Sequence, residues 1–244
     1  MAGFADFIAS EFLKTKRLKF RWAHVLIPVC ADVFFLSYYH YCAWDNVMKR
    51  AAYFQVLSMG FPFLISLFCT LLAEQESSAG SLFNMLSAPG RRLAFLAKLL
   101  LLILCGGFSV FLASSLFAAG YAEYSDYIFY AEAALLLWTG SLPLYICHLF
   151  LSLCFPKAVS LGVGITESLL TALMVTPLGD FIWKYIPCAW SARWITQLTE
   201  IRFLQKAPDS NIYTTLLSCV IMIVVLLFTF VLFADRFEGG ADSD

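Results

Sequence analysis

Asp32 and Glu167 each lie near the middle of a long apolar run, and no lysine or arginine inside those runs is placed to pair with them. An ionised carboxylate facing hydrocarbon is costly, so both are expected to face a bundle interior or water. Two readings stay open. Either the pair lies on a path for cargo, or each group is protonated or satisfied by neighbours such as Ser37, Ser160 and Thr166. His24, beside a basic cluster, reads as an interfacial anchor, while His40 and His148 have no companions at metal-ligand spacing. Cys30, Cys42, Cys69, Cys105, Cys147, Cys154, Cys188 and Cys219 occur singly, as small packing residues do, so no metal centre is expected. Only Cys42 and Cys188 would face outside, where a disulfide between them is possible. No GxxxxGK[ST], HExxH or GxSxG motif occurs, so no catalytic residue and no directly bound cofactor is expected. Any ATP-driven action would need another chain's ATPase.

Two further segments carry polar or aromatic groups in a pattern. Glu74-Gln75-Glu76 opens a stretch whose Leu82, Phe83 and Leu86 share one face, before Pro89-Gly90 turns the chain back. This reads as a surface helix offered to a cytoplasmic partner, or as a lid on the membrane. The stretch Pro177 to Asn211 holds Phe181, Trp183, Tyr185, Trp190, Trp194 and Leu198, interrupted by Pro187 and by polar groups such as Arg193. It is too apolar for a solvated loop and too interrupted for a clean span. Short helices dipping into the outer leaflet fit it, with a full span as the alternative.

The elements that must position these groups follow from composition. Of 244 residues, 61% are hydrophobic and 14% charged, with mean hydropathy +0.80, which excludes an ordinary soluble domain. Apolar runs at about 22–40, 53–73, 94–118, 131–154, 158–177 and 212–234 are each about the length a bilayer requires. A single all-α membrane domain over 1–244 is expected, without nucleic-acid binding. Residues 1–21 place Phe4, Phe7, Ile8 and Phe12 at helical spacing ahead of Lys14, Lys16, Arg17, Lys19 and Arg21, which predicts an amphipathic helix in the headgroup layer. Those cations, with Arg91, Arg92, Lys98, Lys157 and Arg236, outnumber Lys49, Arg50, Lys184, Arg193, Arg202 and Lys206 on the other side, so both termini are expected in the cytoplasm. Pro28, Pro62 and Pro143 are expected to kink or break spans one, two and four.

This arrangement resembles the permease subunits of ABC-2 type transporters: an amphipathic first helix, six spans, a cytoplasmic helix after span two, and a re-entrant outer segment before span six. Glu11-Phe12-Leu13-Lys14-Thr15-Lys16-Arg17 and Trp190-Ser191-Ala192-Arg193-Trp194 carry a finer similarity to the permeases of lantibiotic-immunity transporters. The resemblance implies a second permease chain, identical or not, across a central path. It also implies a cytoplasmic ATPase subunit, holding ATP and Mg, that grips Glu74, Glu76, Leu82, Phe83 and Leu86. The cargo it implies is a lanthionine antimicrobial peptide, expelled from the bacterial plasma membrane, which Asp32 or Glu167 would suit. Permeases for drugs or lipids, and a membrane protein that binds or senses the peptide without transport, remain the alternatives.

Overall fold

The structure, a computed structural model, describes residues 3–15, 19–78, 86, 90–121 and 127–237. These form nine α-helices: α1 (Phe4–Thr15), α2 (Lys19–Tyr41), α3 (Asn46–Ser78), α4 (Arg91–Tyr121), α5 (Tyr127–Gly140), α6 (Leu142–Cys154), α7 (Lys157–Val175), α8 (Pro187–Leu204) and α9 (Asn211–Arg236). No strand occurs among the described residues. Among the described residues six helical segments are long and apolar enough to cross a bilayer, the number expected from the sequence. They are α2, α3, α4, α5 continuing into α6, α7 and α9.

The fourth segment breaks at Ser141, and Pro143 follows in the first turn of α6. Proline is tolerated there because the first amides of a helix have no intrahelical acceptor. Pro28 and Pro62 instead sit within helices that remain continuous. Beside Pro62, the Phe63 amide donates to Ser168 Oγ at 3.1 Å, so α3 leans on α7.

α3 is the spine of one half of the bundle and packs against α6, α7 and α8. α4 is the spine of the other half and packs against α1, α2, α5 and α9. Close approach is bought by small residues. A Cβ on Gly164 of α7 would collide with Ser66 Oγ of α3, and one on Gly106 of α4 would collide with the Tyr145 hydroxyl of α6. Around these contacts lies an aromatic core in which Tyr53 stacks on Phe117 at 3.8 Å and Phe117 stacks on Tyr121 at 5.5 Å.

α1 and the last turn of α9 meet at one end of the bundle. Phe7 of α1 packs on Gly90, just ahead of α4. Arg92 of α4 grips Asp235 of α9 through two bonds of 2.6 Å. This terminal end therefore carries α1, the last turns of α3 and α9, and the first turn of α4.

Candidate functional site

A knot of charge lies at the terminal end. Lys98, 0% exposed, donates to Glu11 Oε2 at 2.7 Å and to Glu76 Oε1 at 2.9 Å. Lys14 closes the ring, reaching Glu11 Oε1 at 2.6 Å and Glu76 Oε1 at 2.9 Å. Two lysines and two glutamates from α1, α3 and α4 thus form a neutral set, and the Gln75 amide adds a bond to the Lys14 carbonyl at 3.4 Å. Burial works to lower the Lys14 pKa, but its bonds to Glu11 and Glu76 outweigh that and hold it above 10.5.

The knot separates two carboxylates that the sequence groups together. Both belong to the continuous helix α3 and do not open a new one. Glu76 points inward into the ion pairs, whereas Glu74 is 46% exposed and meets Lys157 of α7 at 2.9 Å. Leu86 is helical and half-buried against the main core. Leu82 and Phe83 lie outside the described residues, as do Lys16 and Arg17.

A second polar assembly lies inside the spans, away from the knot. His148 of α6 is buried and its Nε2 lies 2.8 Å from Glu167 Oε2 of α7. Its Nδ1 lies 3.2 Å from Ser160 Oγ, Ser152 Oγ donates to Ser160 Oγ at 3.0 Å, and Thr70 Oγ1 of α3 lies 3.3 Å from Ser152 Oγ. An ionised carboxylate only accepts hydrogen bonds, so with Glu167 ionised it is the Nε2–H that donates to it. Nδ1 is then left to accept from Ser160, to which Ser152 donates, while Thr70 gives its own proton to the Ser66 carbonyl at 2.8 Å.

The sequence paired Glu167 with Ser160 as a neighbour, but the histidine stands between them. His148, set aside for want of companions at ligand spacing, is the direct partner. The signal lay in the tight connection at Phe155-Pro156: Ser152 and Ser160 are each four residues from Pro156, as in an antiparallel hairpin.

Asp32 is held apart from this chain. It is 3% exposed on α2, and its Oδ1 accepts the Tyr53 hydroxyl of α3 at 2.5 Å. Ser37 and Thr166 are not its partners: Thr166 bonds the Gly162 carbonyl at 2.9 Å. His24 is buried and stacks on Phe68 at 3.8 Å, a packed position inside the bundle and not an interfacial anchor.

At the far end, α8 and two short 3-10 turns, Pro177–Gly179 and Trp183–Tyr185, tie α7 to α9. Arg193 donates to the carbonyls of Met174 at 2.5 Å and Thr176 at 3.0 Å, and to Asp180 Oδ1 at 2.8 Å. Trp190 donates to the Lys184 carbonyl at 3.0 Å, and Trp194 to Thr215 Oγ1 of α9 at 2.9 Å. Trp183 is buried under Arg193, 5.9 Å from its guanidinium. Every long side chain of the Trp190 to Trp194 segment is thus engaged in holding the far end together.

Lys49 and Arg50, expected as outer loop charges, belong to the first turns of α3 and are buried. Lys49 caps the Tyr39 carbonyl at 2.9 Å, and Arg50 lies 5.1 Å from the Phe203 ring. Cys42 and Cys188 are free thiols. No cluster of three metal-ligating side chains occurs among the described residues.

Six apolar spans among the described residues, a polar chain within them and a charge knot joining α1, α3 and α4 define a helical membrane protein with polar groups inside the spans. The chain belongs to the ABC-2 family of transporter proteins, whose family profile matches residues 7–176. Members of this family are membrane-spanning components and are not themselves ATPases. No curated protein and no solved structure matches the chain.

Proposed function

We propose that the chain is the permease subunit of an ATP-driven transporter of the bacterial plasma membrane. Its cargo is a lantibiotic or a similar antimicrobial peptide, which it expels from the membrane to protect the cell. A cytoplasmic ATPase subunit supplies ATP and Mg, and a second permease chain completes the path. The family membership supports the transport role and the need for an ATPase. The cargo rests on the similarity of the Glu11 to Arg17 and Trp190 to Trp194 segments to immunity permeases.

The observation that carries the mechanism is the split between Glu74 and Glu76. Glu74 is open to a partner at the terminal end, and two residues away Glu76 is locked to α1 and α4 through Lys14 and Lys98. The cation excess at this end supports a cytoplasmic position for it. An ATPase that presses on Glu74, Lys157 and Leu86 therefore moves α3 together with α1 and α4. Glu76 acts in this reading as the internal anchor of the coupling corner.

Affinity capture from detergent-solubilised native membranes tests the reading. Wild type should bring down an ATPase subunit, and Glu74→Ala with Lys157→Ala should bring down markedly less at equal folded yield. No ATPase with either protein removes the transport reading, and a membrane protein that binds peptide without transport then fits better.

A further inference from the structure

Glu167 is held in an unusual balance. One carboxylate oxygen is fixed by buried His148 at 2.8 Å, yet 22% of the side chain remains exposed. Among the described residues its ion-pair partner is that histidine, with no lysine or arginine beside it. Its neighbours on α7 that also reach the surface are Ile165, 49% exposed, Thr166, and Leu169, 68% exposed. The groups packed behind it are Cys147 of α6 and Cys188 of α8, with Thr171 bonding both the Glu167 carbonyl at 2.8 Å and the Cys188 carbonyl at 3.1 Å.

This geometry points to a recognition site, and we propose that Glu167, oriented by His148, binds a primary ammonium group carried on an alkyl stem. The inference rests on the permease reading, and it assigns that path its first contact with cargo. The chain Ser152, Ser160 and His148 presents an imidazole N–H to the carboxylate. A hydrogen bond from an imidazole N–H holds one carboxylate oxygen and leaves the other side of the group free to accept. Such a group facing lipid tails would be strongly disfavoured, and this face of α7 is therefore covered by water or by cargo. A lysine side chain satisfies both halves of the surface. Its ammonium takes the open side of Glu167, and its methylene stem lies against Ile165 and Leu169, as long cationic side chains commonly do. A guanidinium prefers a free two-oxygen fork, which His148 has already occupied by half.

The ammonium could come from a peptide lysine or from an aminophospholipid headgroup, and the experiment separates them. The purified chain is placed in nanodiscs of phosphatidylcholine. Binding of a fluorescent amphipathic Leu/Lys peptide is compared with that of the same peptide with every amine acetylated, after subtraction of empty discs. Wild type should prefer the free-amine peptide by about tenfold. Glu167→Gln should abolish the preference while leaving the acetylated peptide's affinity unchanged. His148→Gln should reduce it in part, as expected of a positioning residue, while the acetylated peptide's affinity stays unchanged. Glu167→Asp serves where the amide variant folds poorly and should weaken only the free-amine peptide.

A second arm replaces phosphatidylcholine by phosphatidylethanolamine. Loss of the peptide preference in those discs, with the lipid retained through purification by wild type but not by Glu167→Gln, assigns the ammonium to the lipid. A preference that survives in folded Glu167→Gln, or that is missing from wild type in both lipids, overturns the proposal. ATPase capture by the same preparations keeps the two questions apart: an ATPase bound to a chain indifferent to ammonium sinks the site alone.

Discussion

Lys98 and Glu76 meet at 2.9 Å with 0% and 2% of their side chains exposed, and Glu11 closes the other side of Lys98 at 2.7 Å. Three helices distant in sequence are joined through one ammonium. Lys98→Met leaves two buried carboxylates with Lys14 alone, and removing one partner of such a set costs about 3–5 kcal/mol. Adding Glu11→Gln should restore much of that loss, since Glu76 still has Lys14. Thermal unfolding in detergent checks both, and a Lys98→Met protein as stable as wild type would show that the knot does not hold the bundle.

Lys14 sets an alkaline limit on the docking of α1. Its folded pKa is raised above 10.5, so its stabilising contribution is full below the unfolded value and drains away as pH rises through the folded one. Melting temperatures measured from about pH 9 to about pH 12 should fall at the upper end. Lys14→Arg, whose guanidinium stays charged, should flatten that fall. An identical alkaline profile in the two proteins refutes the assignment.

The α3–α7 contact depends on a missing side chain. Gly164→Ala places a methyl against Ser66 Oγ and 2.5 Å from its Cβ, an overlap that should cost about 1–3 kcal/mol. Ser66→Gly in the same protein should return most of that stability, because both clashing atoms are removed. Chemical denaturation of the single and double variants measures the coupling, and additive losses would mean that the helices do not approach here.

Arg193 fastens the end of α7 to α8 through the Met174 and Thr176 carbonyls and Asp180. Arg193→Lys keeps the charge but loses the forked geometry. Hydrogen exchange should then rise over residues 176–182 and stay unchanged in α4. Protection equal to wild type over 176–182 would assign that order to other contacts.

The sequence made the number of spans legible because a bilayer demands about 20 apolar residues per crossing. The break at Ser141 was readable from Pro143. The knot was hidden because Glu11 and Lys98 are 87 residues apart, and no local periodicity brings α1 onto α4. Lys49 and Arg50 looked like loop charges because hydropathy stops at the first cation, while helical hydrogen bonding continues to Asn46. His148 and Glu167 were visible singly, and only the pairing of α6 with α7 makes them a site.

The position of Lys98 also imposes an order on biogenesis. Glu11 and Lys14 are synthesised ahead of α2, α3 and α4, and Lys98, which ties α1 to α4, is made only after α2 and α3. Until then α1 can reach α3 through Lys14 and Glu76 but lacks the bond from Lys98 to Glu11 that fixes it on α4. A helix made ahead of α2, α3 and α4 is thus locked only after them, and its docking requires those three spans to be in register.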